Sequence, residues 1–183
     1  MARRAHPAHT ARTSTAPAAG TGRPSDPAGT SGAETPTPVR IDPRGPRFGA
    51  IITSVLLAVT LLLGPTWGLV PLGIQTLAFI GGSVFGLSRQ PWGWIYRAWV
   101  RPRLGPPAEL EDEAPPRFAQ TVGLVFAVLA LVGALTGLAP LFWAATGVAF
   151  IAAFLNAAFD FCLGCETYLL VQRLRARTPH PSV

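Results

Sequence analysis

The chain has no lysine; all 15 of its basic residues are arginine. Charge of either sign is scarce, at 13% of residues, about half the usual share of a soluble domain. Hydrophobic residues make up 49%, a balance that suits a bilayer better than water. Cysteine occurs only at Cys162 and Cys165, too few for a disulfide scaffold in 183 residues. Histidine is confined to His6, His9 and His180, away from both cysteines in sequence. The N-terminus lacks an early apolar core, so no cleavable signal peptide is expected. A net charge of +6 would suit a nucleic-acid partner, but no motif interleaves aromatic and basic residues for that purpose. Arginines flanking membrane spans account for the charge, and no nucleic-acid partner is expected.

What is present is organised in two long uncharged blocks. No charged side chain occurs from Phe48 to Ser88, or again from Phe118 to Phe159. A bilayer core needs roughly 17–25 residues per helix, so each block holds two minimal spans and a turn. Gly64-Pro65 to Gly68-Leu69-Val70-Pro71 breaks the first block, and Gly137-Leu138-Ala139-Pro140 breaks the second. The expected spans are 48–64, 69–87, 118–137 and 141–160. The blocks also resemble each other: Pro46-Arg47-Phe48 matches Pro116-Arg117-Phe118, and Gly68-Leu69-Val70-Pro71-Leu72 matches Gly137-Leu138-Ala139-Pro140-Leu141. The reading is an all-α membrane protein of two tandem helical hairpins in the same orientation, a parallel rather than an inverted repeat.

The arginines orient it. They precede the first span, fill the central loop at Arg89, Arg97, Arg101, Arg103 and Arg117, and follow the last span at Arg173, Arg175 and Arg177. Neither hairpin turn carries charge. By the positive-inside rule both termini are expected in the cytoplasm of a multi-pass cell-membrane protein. Trp67 and Trp143 fall near the outer turns, and Trp92, Trp94, Tyr96, Trp99 and Tyr168 near the inner ends, as two interfacial belts. Amphipathic stretches from Pro91 to Arg101 and from about Cys162 to Arg177 read as helices lying on the membrane surface. Residues 1–43, rich in Ala, Pro, Thr, Ser, Gly and Arg, are expected to be a disordered tail, the membrane domain to span 44–177, and 178–183 to be a short tail. Glu109, Glu111, Asp112 and Glu113 read as a solvated linker. Ala145, Ala149, Ala153 and Ala157, with Gly82 and Gly86 and Gly133 and Gly137, read as helix contacts, where small side chains let helices approach.

The segment with chemical potential is Asp160-Phe161-Cys162-Leu163-Gly164-Cys165-Glu166. Counting from Leu141 places it at the cytoplasmic end of the fourth span. That compartment keeps thiols reduced, so a permanent disulfide is not expected. Three-residue spacing on a helix brings two sulfurs to one side. A helix start would stabilise a Cys162 thiolate, the nucleophile of disulfide exchange and sulfur transfer. Asp160 and Glu166 oppose that thiolate unless one of them accepts a proton. The same pair could bind a soft metal, zinc or copper, with carboxylates or a second subunit completing the set; no other cofactor is expected. It could equally be inert packing. Asn156 and Asp160 share a helical face, and Arg47 or Arg117 are candidate partners for Asp160 or Glu166, since polar groups at the ends of spans tend to be paired.

Several blocks together resemble a known family: Ile41-Asp42-Pro43-Arg44-Gly45-Pro46-Arg47-Phe48, Pro91-Trp92-Gly93-Trp94, Arg101-Pro102-Arg103-Leu104, Pro115-Pro116-Arg117-Phe118-Ala119-Gln120 and Asn156-Ala157-Ala158-Phe159-Asp160-Phe161-Cys162-Leu163-Gly164-Cys165-Glu166. Over about residues 40–174 the chain resembles the bacterial membrane family called domain of unknown function 4395. The resemblance implies an integral membrane protein and brings no established activity or catalytic residues. It also implies an association with thioredoxin-like and sulfurtransferase proteins, which favours thiol chemistry. The candidate reactive residues are therefore Cys162, Cys165, Asp160 and Glu166, with metal binding by the cysteines and a structural scaffold as alternatives. The expected partners are the lipid bilayer, a cytosolic thioredoxin-like or sulfurtransferase protein, and a second copy of the chain.

Overall fold

A computed structural model describes residues 39–107 and 109–177. The tail expected over 1–43 is described only from Val39, and the tail expected over 178–183 lies outside the described residues.

The described chain is almost entirely helical. Four helices form the bundle: α1 (Arg44–Trp67), α2 (Leu69–Val84), α5 (Ala114–Leu135) and α6 (Ala139–Phe159). Between α2 and α5 run α3 (Pro91–Ile95), a π-helical turn (Tyr96–Val100) and α4 (Arg101–Leu104). After α6 comes α7 (Leu163–Arg177). A two-residue strand, β1 (Arg40–Ile41), pairs antiparallel with β2 (Glu111–Asp112). These residues were expected to be disordered tail and solvated linker; the pairing ties the start of α1 to the start of α5.

Helix ends follow the chemistry of the sequence. Gly64 takes φ 71°, and Pro65 follows it inside α1, so the helix breaks where glycine tolerates a left-handed backbone and proline removes a donor. Gly137, at φ 75°, turns the chain between α5 and α6. Gly86, at φ 87°, lies beyond α2 and stops it short of the expected Leu87. Gly86 and Gly137 are therefore turn residues rather than the helix contacts expected of them. Gly82 fits the expectation, because a Cβ there would meet the Gln120 side chain at 2.9 Å. The π turn coincides with Pro102, which has no N–H to continue the α-helical ladder; the Arg101 N–H reaches back to the Tyr96 carbonyl instead.

α1, α5 and α6 are each long and apolar enough to cross a bilayer, whereas α2 has 16 residues and is shorter. The bundle is apolar outside: Leu62 is 86% exposed, Leu135 74% and Leu77 69%. Its interior combines Leu57, Leu72, Phe79 and Phe142 with small and polar side chains, including Ala130, Thr53, Ser54, Thr60, Gln75 and Thr146. A water-soluble bundle has the reverse distribution. The Ser54, Thr60 and Thr76 hydroxyls donate to carbonyls one turn earlier, at 2.8, 2.8 and 2.7 Å, which satisfies them without water.

α1 packs on α2 and α6, and α5 packs on α6 and α2. Contacts at the arginine-rich end occur in pairs about 70 residues apart. The Phe48 ring lies 5.8 Å from Tyr96, and the Phe118 ring 5.7 Å from Tyr168. Asp42 accepts the Arg44 N–H at 3.0 Å, and Asp112 accepts the Ala114 N–H at 2.9 Å. Arg47 donates to the Ala157 carbonyl at the end of α6, and Arg117 to the Ser83 and Val84 carbonyls at the end of α2. Each arginine thus satisfies orphan carbonyls at the negative end of a helix dipole.

Candidate functional site

The two cysteines lie where α6 stops and α7 begins. α6 ends at Phe159 and is capped by Asp160, whose backbone is left-handed at φ 57°, ψ 27°, a conformation that aspartate tolerates better than most residues. Three residues later the chain turns into α7 with Cys162 at its cap. The Cys162 carbonyl accepts the Glu166 N–H at 3.0 Å, and its sulfur accepts the Cys165 N–H at 3.2 Å. In a capping serine, oxygen occupies that place. Gly164, between the cysteines, lies directly against Ala119 of α5; a Cβ there would come within 2.7 Å of the Ala119 Cα. The Phe118–Tyr168 contact holds the next turn of α7 to the same helix.

Cys162 and Cys165 are joined as a disulfide, with Cα atoms 5.2 Å apart. Reduced thiols were expected from the compartment argument. The cap geometry aims both sulfurs to the same side of the first turn, as the three-residue spacing predicts, and so brings them within bridging reach. Both cysteines are half-buried and line a cavity of about 310 Å³. Arg47, Asn156, Asp160 and Glu166 also line it. Cys162 further lines a narrower cleft of about 90 Å³ that runs among α1, α5 and α6 past Thr53 and Gln120. The disulfide therefore stands between an open cavity and the interior of the bundle.

Arg47 faces Asp160 at 3.8 Å, with both side chains largely exposed. Such a pair contributes little stability, but it keeps a guanidinium beside the cysteines. Arg117, the other candidate partner, is occupied at the end of α2 and does not meet Asp160 or Glu166. Asn156 and Asp160 border one cavity, but Asp160 has left the helix, so they do not share a helical face. The Asn156 amide has no hydrogen-bond partner among the described residues. Among those residues no three His, Cys, Asp or Glu side chains converge as a metal site.

Several participants were not legible beforehand. Glu111 and Asp112, read as linker, line the cavity. Pairing of β1 with β2 brings them there, and no local pattern announces a two-residue strand. Glu113 is buried, and its carboxylate accepts the Leu87 N–H at 2.6 Å; its place in an acidic run concealed that role. The Pro116-Arg117-Phe118-Ala119-Gln120 block did carry a signal. It supplies Arg117, the Phe118 ring, the Ala119 seat for Gly164 and Gln120, whose Oε1 accepts from Gln90 at 3.0 Å.

Among the described residues, Tyr96 is the one titrating group clearly displaced. Burial first, then its hydrogen bond to Asp42 at 2.9 Å, raise its pKa to about 12.

These features define a class: a helical bundle with the apolar exterior of a membrane protein and a paired-cysteine cap at the arginine-rich end. Residues 41–173 match the family described as Domain of unknown function (DUF4395), and the chain belongs to that family. No curated protein and no solved structure matches it.

Proposed function

We propose that this chain is a multi-pass membrane protein that performs thiol–disulfide exchange through Cys162 and Cys165. The observation that carries this reading is the cysteine pair at the cap of α7, opening on a cavity with Arg47, Asp160 and Glu166. In the reduced form, the Cys165 N–H, the helix dipole and Arg47 favour a thiolate at Cys162. That thiolate attacks a partner disulfide, forming a mixed disulfide and releasing one partner thiolate. Cys165, deprotonated by Asp160 or Glu166, then attacks the Cys162 sulfur. The products are the Cys162–Cys165 disulfide and a partner dithiol: the partner gains two electrons and two protons, and this chain loses them. The reaction is reversible, so a reduced partner dithiol regenerates the thiols. The cavity presents Glu111, Asp112, Asp160 and Glu166 against Arg47, which suits a thioredoxin-like or sulfurtransferase partner with a basic rim.

The architecture proposed with it is two tandem hairpins and four spans with cytoplasmic termini, able to associate as a homo-oligomer. Contacts paired about 70 residues apart support a duplicated hairpin. They also support α2 as a span equivalent to α6, although its 16 residues reach only about 24 Å at 1.5 Å each, less than the usual hydrocarbon core. Arginine asymmetry supports the sidedness.

The experiment is a trap. Cys165→Ser leaves Cys162 without its resolving thiol. Mass spectrometry of this variant from cells is expected to find a mixed disulfide on Cys162. Recovery of only the free thiol would end the exchange reading. A membrane-impermeant thiol label that reaches Cys162 from outside intact cells would end the sidedness.

A further inference from the structure

A second cavity, of about 320 Å³, opens beneath the first hairpin's surface segment, away from both cysteines. Its charged lining is Arg40, Arg97, Arg101 and Asp42. The single carboxylate is already occupied. One Asp42 oxygen accepts the Tyr96 hydroxyl at 2.9 Å, and the other accepts the Arg44 N–H at 3.0 Å, with the Arg44 guanidinium 4.0 Å away.

Two of the three cavity arginines are held in place by carbonyls. Arg40 donates to the Leu110 carbonyl at 3.3 Å, and Arg97 donates to the Ser88 carbonyl. Arg101 follows the π turn and has no carboxylate within salt-bridge distance among the described residues. A guanidinium carries five N–H donors, so most of these donors are uncommitted. Ile41, Leu87 and Leu110 supply an apolar wall. Concentrated positive charge in a concave, partly apolar setting attracts anions, and forked donors match phosphate oxygens best.

We propose that this cavity binds a phosphate-bearing anion through Arg40, Arg97 and Arg101. The apolar wall seats the organic part of the ligand beside the phosphate. The chemistry has two sources, the headgroup of an anionic phospholipid or a soluble phosphate ester. This site is independent of the cysteine reading, and neither depends on the other.

The test uses the full chain in detergent. Native mass spectrometry with added phosphatidylglycerol or phosphatidylcholine reads the lipid source; glycerol phosphate, followed by equilibrium dialysis, reads the soluble one. One phosphatidylglycerol per chain, retained over phosphatidylcholine, or one saturable glycerol phosphate, is the expected result. Arg101→Gln should weaken that binding about tenfold, the worth of one charge-assisted hydrogen-bond pair. Arg173→Gln on α7 removes the same charge and should leave binding unchanged. Should Arg101→Gln fail to fold, Arg101→Lys keeps the charge but loses the fork, and is expected to weaken binding to a lesser degree. The proposal is overturned if neither probe binds saturably, if neither Arg101 variant weakens it, or if Arg173→Gln weakens it as much, which would mean diffuse surface charge only.

Discussion

Gly164 is the most informative single position, because it sits between the cysteines and against a neighbouring helix. A Cβ at Gly164 would lie 2.6 Å from the Ala119 Cβ and 2.7 Å from its Cα. Ordinary contacts are longer by about an ångström, and the obstacle is backbone, which no rotamer change removes. Gly164→Ala must therefore push the start of α7 away from α5. Overpacking of this kind costs about 1–3 kcal/mol. The usual gain from replacing a helical glycine is about 1 kcal/mol or less, and it is smallest in a first turn. The net expectation is a loss of about 1–2 kcal/mol. Gly147→Ala in α6 is the control, since nothing lies within 4 Å of its Cβ; it should be neutral or stabilising. The two variants should thus differ by about 2 kcal/mol, roughly 30-fold in the folding equilibrium. Reversible unfolding in mixed micelles measures this, and amide exchange over 163–177 should show weakened protection confined to α7. Adding Ala119→Gly should restore part of the loss, because the Ala119 Cα remains. If Gly164→Ala unfolds at the wild-type midpoint with unchanged α7 protection, the close approach of α7 to α5 is wrong, and the placement of the cysteines goes with it.

Glu113→Ala should cost about 1–3 kcal/mol by leaving the buried Leu87 N–H without an acceptor, whereas Glu113→Gln, which keeps an oxygen there, should cost less; unfolding midpoints compare the two. Tyr96 is neutral in the fold up to about pH 12 and ionises near 10 when unfolded, so its contribution is intact below pH 10 and is lost as pH rises through 12. Tyrosinate absorbance should therefore show a late transition that Tyr96→Phe removes; its absence would contradict the burial of Tyr96. Gln75 is fully buried, and its amide oxygen and nitrogen lack partners among the described residues, so Gln75→Met should stabilise the bundle by about 1–2 kcal/mol, and a loss of stability in the same unfolding assay would show that the amide is bonded. Arg47→Gln should change stability by less than about 1 kcal/mol yet slow reaction of reduced Cys162 with a model disulfide; an unchanged rate would remove Arg47 from the proposed chemistry.

The sequence by itself determined the helices and much of where they end. Uncharged runs, with glycine and proline at their breaks, located α1, α2, α5 and α6 to within a few residues, and an amphipathic stretch located α7, because helix length and backbone sterics are local constraints. It also singled out the cysteine pair, which the fold places at the cap of α7 beside a cavity. What it misjudged depended on the neighbours. Gly86 and Gly137 carry the spacing of packing residues, but their positive φ makes them turns, and spacing does not encode φ. Arg117 was a plausible partner for Asp160 until the packing of α2 against α5 placed helix-end carbonyls within its reach. Glu111 and Asp112 entered the cysteine cavity through a strand pairing with Ile41 and Arg40, far away in sequence. Only the tertiary structure could decide these points, since a charge or a glycine acts on whatever the fold brings beside it. The cavity around Cys162 is a meeting of α1, α5, α6 and α7, and no single stretch of chain contains it.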